Sequence, residues 1–299
     1  MRLFFFLFFF SISTLSQAQE GFTEDLFEVG ESITETYAVK DGEELRLDVY
    51  QPLNDTAQLR PVIIFMHGGG FAGGTRKNDA EVKFAHAAAR KGYVAVQITY
   101  RLTRKDKSFG CDYEASGKIE TFQKAAEDFM DAVQFMLNKK DEYRIDPGRV
   151  IVGGSSAGAE AVLNAVYNDR LMFEDPEKYE DIDFAGVFSL AGAVVDARYI
   201  TKENAVPAVF FHGTDDNLVP FATAPHHFCD PDAPGYLMLD GSKTIAEKLK
   251  KLDKSFLLYA FEGGRHEHSG MPFKYLDIVF DFFNRVFLHG EQLQIEVLK

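Results

Sequence analysis

One stretch of the chain alternates apolar and polar positions, and several others merge into short apolar runs. Leu45, Leu47 and Val49 are separated by Arg46 and Asp48, as in a strand with one wet face. Val62-Ile63-Ile64-Phe65-Met66 is apolar throughout, which suits a strand covered on both sides. Residues 93–100, 150–153, 184–190, 207–211 and 256–261 read as further strands. Helical spacing recurs between them. Residues 80–91 place Val82, Ala85 and Ala89 on one side, and residues 119–137 repeat Phe122, Ala126, Phe129 and Val133 at intervals of three and four. Residues 157–167, 245–252 and 275–287 complete the helices, and Asp146-Pro147-Gly148 predicts a turn.

Strands that alternate with helices predict an α/β fold, with a mostly parallel central sheet and helices on both faces. No linker divides residues 19–299, so a single domain is expected. Residues 20–35 are acidic and mixed and read as a surface lead-in. The irregular segments 103–117, 168–182, 193–205 and 221–243 are candidates for a cap over an active site.

The first residues predict an address rather than a fold element. Met1-Arg2 is a short basic start, residues 3–10 are all Phe or Leu, and Ser16-Gln17-Ala18 ends the segment in a small-x-small pattern. These are the three parts of a secretory signal peptide, with cleavage expected after Ala18. The apolar run is too short to anchor the chain across a bilayer. A secreted or periplasmic location is therefore expected.

Composition narrows the function classes. The 299 residues are 46% hydrophobic and 26% charged, which are ordinary globular values. A net charge of −14 repels phosphate backbones and argues against nucleic acid as a partner. The two cysteines, Cys111 and Cys229, suggest one bridge in an oxidising compartment, with two unpaired thiols as the alternative. Neither sits in a metal-ligand spacing.

Three stretches carry chemistry. Gly154-Ser155-Ser156-Ala157-Gly158 lies between a predicted strand and a predicted helix, where a G-x-S-x-G turn exposes the hydroxyl of its central serine, Ser156. The glycines are needed because side chains two residues either side would meet the neighbouring strand or helix. His67-Gly68-Gly69-Gly70-Phe71 follows the apolar strand 62–66, and its unshielded N–H groups suit an oxyanion, with the Ala157 N–H as a second donor. Asp215 and Asp216 follow the strand 207–211, and His266 and His268 follow the strand 256–261. The order Ser, Asp, His is the one this strand–turn–helix architecture uses. Duller roles fall to His86 as a packed or surface residue and to His226-His227 as structural loop residues, with lining a pocket or holding a metal as the alternative for the pair. Arg101 reads as a structural ion pair, and the aromatics at 109–113 and 228–236 as core or cap packing, with binding of an aromatic or sugar substrate as the alternative.

With these motifs in order, and with Tyr100-Arg101-Leu102 between them, the sequence resembles an α/β-hydrolase esterase of the hormone-sensitive-lipase-like and feruloyl-esterase-like branch. The resemblance covers residues 35–288. It implies a triad of Ser156, Asp216 and His266, with Asp215 and His268 as second choices. It implies that Gly69 and Gly70, beside Ala157, supply the oxyanion N–H groups, and that His67 supports the loop. Ser155 stands where relatives often carry Asp or Glu, so contacts behind the nucleophile are expected to differ. No metal or organic cofactor is implied. The expected protein is a secreted serine carboxylic-ester hydrolase that works through an acyl-enzyme. Its expected substrates are small-molecule or saccharide-linked esters, such as acetyl or feruloyl groups on polysaccharide. The other readings are a general short-chain esterase or lipase, a serine peptidase, and a non-catalytic binding module. A lipase sits poorly with the lack of a large apolar lid segment. Peptidase relatives usually carry glycine at the position of Ala159, and a binding module typically loses a triad residue.

Overall fold

A computed structural model of the chain describes residues 22–299; the expected signal peptide lies outside the described residues. The strands in chain order are β1 (Ile33–Lys40), β2 (Glu43–Tyr50), β3 (Arg60–Met66), β4 (Val94–Ile98), β5 (Ile145–Ser155) and β6 (Gly186–Leu190). They continue with β7 (Ala193–Val194), β8 (Ala208–Gly213), β9 (Thr223–Pro225), β10 (Met238–Gly241), β11 (Phe256–Phe261) and β12 (Gln294–Leu298). Nine of these form one sheet in the order β1-β2-β4-β3-β5-β6-β8-β11-β12. The first two pairings are antiparallel and the rest are parallel, as the alternation of strands and helices predicts.

The apolar run of β3 shows how the sheet is covered. Val62, Ile64 and Met66 face one core, and Ile63 and Phe65 face the other, all fully buried. The first core lies under the helices Ala115–Asn138 and Ala157–Tyr167, through residues such as Phe122, Phe129 and Val162, and under Ser242–Lys251 through Ile245 and Leu249. The second lies under the helices Asp79–Arg90 and Leu276–Leu288, through Phe84, Ala85, Phe280 and Phe283.

The structure departs from the pattern at the edges of elements. The helix predicted over 119–137 begins at Ala115, because tertiary contacts hold a first turn that lacks apolar spacing. There the buried Lys118 Nζ donates to Gly235 O at 2.8 Å, and Tyr113 Oη donates to Gly117 O at 2.9 Å. The turn at Asp146-Pro147-Gly148 is present as Gly148 N–H donating to Asp146 Oδ1, yet it interrupts a single long strand rather than preceding one. Strands β1 and β12 were not expected. Both are edge strands whose apolar residues are only partly buried, so their pattern is weak and their pairing with β2 and β11 decides them. Part of the irregular segment 221–243 is also ordered, as β9 and β10 with β7 in a small three-stranded sheet. Among the described residues, no helix is long and apolar enough to cross a membrane.

Candidate active site

The end of β5 turns sharply into the helix Ala157–Tyr167, and Ser156 occupies the corner. Its φ of 50° and ψ of −122° are strained for a residue with a side chain. The conformation persists because backbone on both sides encloses it. Ser156 N–H donates to Leu190 O at 2.8 Å. A Cβ on Gly154 would lie 2.4 Å from the Gly158 carbonyl carbon, and one on Gly158 would lie 2.2 Å from Met66 O of β3. The glycines therefore let helix and strand close around the turn, for the steric reason read from the motif.

Three side chains from three strand ends meet there. Ser156 Oγ lies 2.8 Å from His266 Nε2, and His266 Nδ1 lies 2.7 Å from Asp216 Oδ2. A carboxylate only accepts, so Nδ1 carries the proton and Nε2 accepts from the Ser156 hydroxyl. Asp216 Oδ1 accepts from the N–H groups of Leu218 and Val219 at 2.9 and 3.0 Å. A second imidazole, His212, reaches Asp216 Oδ2 at 3.3 Å and is itself held by Ser242 Oγ at 2.8 Å. Burial of Asp216 opposes its charge, but the hydrogen bonds from His212 and His266 outweigh burial and hold the carboxyl well below its ordinary range. The carboxylate is thus a fixed negative charge behind His266. The second choices lie elsewhere. Asp215 is exposed beside Thr214, and the His268 ring stacks on Phe261 with centroids 3.8 Å apart.

The loop after β3 presents backbone to Ser156. Gly69 adopts φ +124°, and a Cβ there would lie 2.1 Å from Gly73 O, so the position needs glycine. Its carbonyl turns inward to accept from Ala72 and Gly73 N–H at 3.0 Å. Among the described residues, the N–H groups of Gly69 and Gly70 make no backbone hydrogen bond. Ala157 opens its helix, so its N–H has no intrahelical acceptor. All three line one cavity with Ser156. His67 is buried behind this loop with Nδ1 2.7 Å from Gly68 O, and Tyr100 Oη donates to His67 O at 3.1 Å. Arg101 binds Asp128 through Nε at 3.0 Å and backbone N–H at 2.8 Å, the ion pair expected of it.

The cavity encloses about 470 Å³. Of the four candidate cap segments, 103–117 contributes Phe109 and 221–243 contributes His227 to its wall. Segments 168–182 and 193–205 do not reach it. They border a separate cavity of about 900 Å³, with Phe173, Tyr179 and Asn204 on its wall. Segment 168–182 continues from the C-terminal end of the helix Ala157–Tyr167, the end remote from Ser156, and 193–205 reaches the same end. Cys111 and Cys229 form a disulfide with Cα atoms 5.3 Å apart across 118 residues of sequence. Closing so long a loop removes much unfolded-state entropy. We expect Cys111→Ser/Cys229→Ser to lose about 2–5 kcal/mol of stability, read from denaturation midpoints without reductant. An unchanged midpoint would show that the bridge does not form.

Some residues of the site carry no motif. Glu160 lies four residues after Ser156 on the same helix face, fully buried, and lines the cavity. Its burial and the nearby Asp216 charge push its carboxyl well above the ordinary range, against the opposing charge of Lys118. Glu81 lines the cavity from the helix Asp79–Arg90, and burial raises its carboxyl too. His227, read as structural, lines the cavity; burial together with the charges of Lys118 and His266 pushes it down to about 4. Ser155 Oγ donates to Ser269 O at 2.7 Å, a contact that an acidic residue at that position cannot make. The i,i+4 spacing from Ser156 was the one sequence signal for Glu160. Glu81 and Ser269 had none.

Residues 47–197 match the BD-FAE family. The chain is 28% identical over 216 residues to arylacetamide deacetylase of Bos taurus, covering 68% of this chain and 50% of that protein. It is 32% identical over 124 residues to fumonisin B1 esterase of Sphingopyxis macrogoltabida, covering 40% of this chain and 22% of that protein. The chain thus spans about half or less of the length of the curated relatives it matches. Among solved structures it is similar to Thermogutta terrifontis esterase 2, with a TM-score of 0.64, 20% identity, and coverage of 87% of this chain and 96% of that one. That likeness supports the α/β-hydrolase fold.

Proposed function

The chain belongs to the BD-FAE family, and from that premise we propose that it is a serine carboxylic-ester hydrolase acting through Ser156, His266 and Asp216. The observation that carries this reading is the hydrogen-bonded line from Ser156 Oγ through His266 to Asp216, with links of 2.8 and 2.7 Å. Ser156 Oγ attacks the ester carbonyl as His266 Nε2 takes its proton. Negative charge then develops on the carbonyl oxygen, against the N–H groups of Gly69, Gly70 and Ala157. Preorganised donors of this kind are worth about 3–4 kcal/mol each. The C–O bond breaks, His266 returns the proton to the leaving alcohol, and an acyl-Ser156 ester remains. A water, deprotonated by His266, attacks that ester and releases the acid. Asp216 keeps Nδ1 protonated and stabilises the imidazolium in both halves.

The leader pattern over residues 1–18 and the Cys111–Cys229 bridge together support export to a secreted or periplasmic location. An exported ester hydrolase has acetyl or feruloyl groups on polysaccharide within reach, and these are the proposed natural substrates. The test is a p-nitrophenyl ester ladder from acetate to laurate, beside acetylated xylan and methyl ferulate. We expect turnover to be highest on the short acyl chains and to fall with length, because Glu81, Glu160 and His227 on the cavity wall offer a long alkyl chain polar rather than apolar contacts. Turnover of short p-nitrophenyl esters with both plant-type esters untouched would leave a general short-chain esterase. No turnover of any ester by the folded protein would overturn the hydrolase reading.

A further inference from the structure

The cavity beside Ser156 has buried carboxyl oxygens that the hydrolysis mechanism does not use. Glu160 is 2% exposed and Glu81 is 8% exposed, and both line the cavity. Glu160 Oε1 and Glu81 Oε2 are buried with no hydrogen-bond partner among the described residues. Glu160 Oε1 is 3.3 Å from His226 Nε2, but both His226 ring nitrogens also lack a hydrogen-bond partner. A buried polar group left without a partner is destabilising, because it has given up its hydrogen bonds to water. A fold that only had to place an ester over Ser156 has no use for two such groups, one from each of two separate helices. The lining also includes apolar residues, Phe109, Leu218 and Val219.

We propose that Glu81 and Glu160 are specificity-determining residues that bind the hydroxyl groups of a polyhydroxylated substrate, so the site selects esters of polyols over esters of plain alcohols. Hydroxyl groups satisfy the orphan oxygens whether each carboxyl accepts or donates. Burial raises both carboxyls, which favours the neutral acid and a neutral ligand. The buried Lys118, whose charge reaches Glu160, weighs against a cationic ligand at that end. This inference rests on the ester-hydrolase reading and narrows it.

The test compares two acetates of ring-bearing primary alcohols, 6-O-acetylglucose and cyclohexylmethyl acetate, which differ chiefly in their hydroxyl groups. We expect the wild-type protein to favour the sugar ester in kcat/KM by at least about tenfold. Glu81→Met and Glu160→Met should each lower that ratio by about tenfold, the scale of one lost hydrogen bond to a charged or strongly polar partner. Wild-type inhibition gives a second readout that needs no variant. Methyl glucoside should compete with cyclohexylmethyl acetate, whereas tetrahydropyran should not. A wild-type ratio near one, or a ratio unmoved in folded variants, overturns the inference. If both variants fail to fold, equal inhibition by the two ring compounds overturns it, and selective inhibition by methyl glucoside upholds it. Preferential turnover of acetylcholine that is lost in the variants would overturn it in favour of an ammonium pocket. Absence of turnover on both acetates, and across the p-nitrophenyl ladder, is a failure of the hydrolase reading instead.

Discussion

Ser156→Ala is expected to lower kcat on the best ester of the ladder by about 10⁶-fold. The proposed acyl-transfer route runs through one oxygen, Ser156 Oγ, which lies 2.8 Å from His266 Nε2. Residual turnover should come from the oxyanion donors and substrate binding alone. Alanine removes only that oxygen and keeps the Cβ that the corner already accommodates at φ 50°. The thermal midpoint should therefore stay close to that of the wild type, so lost activity and lost fold can be told apart. Turnover within tenfold of wild type by the folded variant would remove Ser156 from the mechanism.

Asp216→Asn should cost about 10⁴-fold in kcat with little change in the shape of the site. The asparagine amide can donate to Nδ1, which leaves Nε2 protonated and facing Ser156. That tautomer cannot take the serine proton. The substitution also tests the charge. The folded Asp216 carboxyl is held below its ordinary range, so it contributes stability above that range, and the contribution is lost as pH falls through its folded value. Wild type should therefore gain stability over the variant as pH rises through the ordinary carboxylate range, and the two should converge in stronger acid. Denaturation midpoints measured across that range check the sign. A variant that keeps kcat within tenfold would move the role to another group; Asp215 is the nearest in sequence.

Much of this protein follows from local requirements that a sequence displays directly. An apolar run such as Val62-Ile63-Ile64-Phe65-Met66 has to be a strand covered on both faces, because it offers no polar side to water. The period of Phe122, Phe129 and Val133 has to put one helix face on the sheet. The glycines around Ser156 are required by contacts under 2.5 Å that any Cβ would make. These constraints act within a few residues, so the central strands and the helices that cover them, the elbow and the glycine loop were readable from the chain, whereas the edge strands β1 and β12 and the short strands β9 and β10 were not.

What the tertiary structure decided acts over long separations. Ser156, Asp216 and His266 are 50 or more residues apart from one another, and only the parallel order β5-β6-β8-β11 brings their strand ends to one place. Asp216 and His266 are adjacent to Asp215 and near His268, which share their chemistry. The choice within each pair is a matter of which side chain points inward. All four irregular segments were candidates for a cap, and the fold, with the Cys111–Cys229 link, puts only 103–117 and 221–243 on the wall beside Ser156. Glu81 and Glu160 stand on helices outside every motif of the sequence. Their burial beside Ser156 arises from elements that meet only after the sheet has formed, because the cost of desolvating a carboxyl is set by neighbours distant in sequence. The chain by itself determined which chemistry was present, and the fold decided which residues face it.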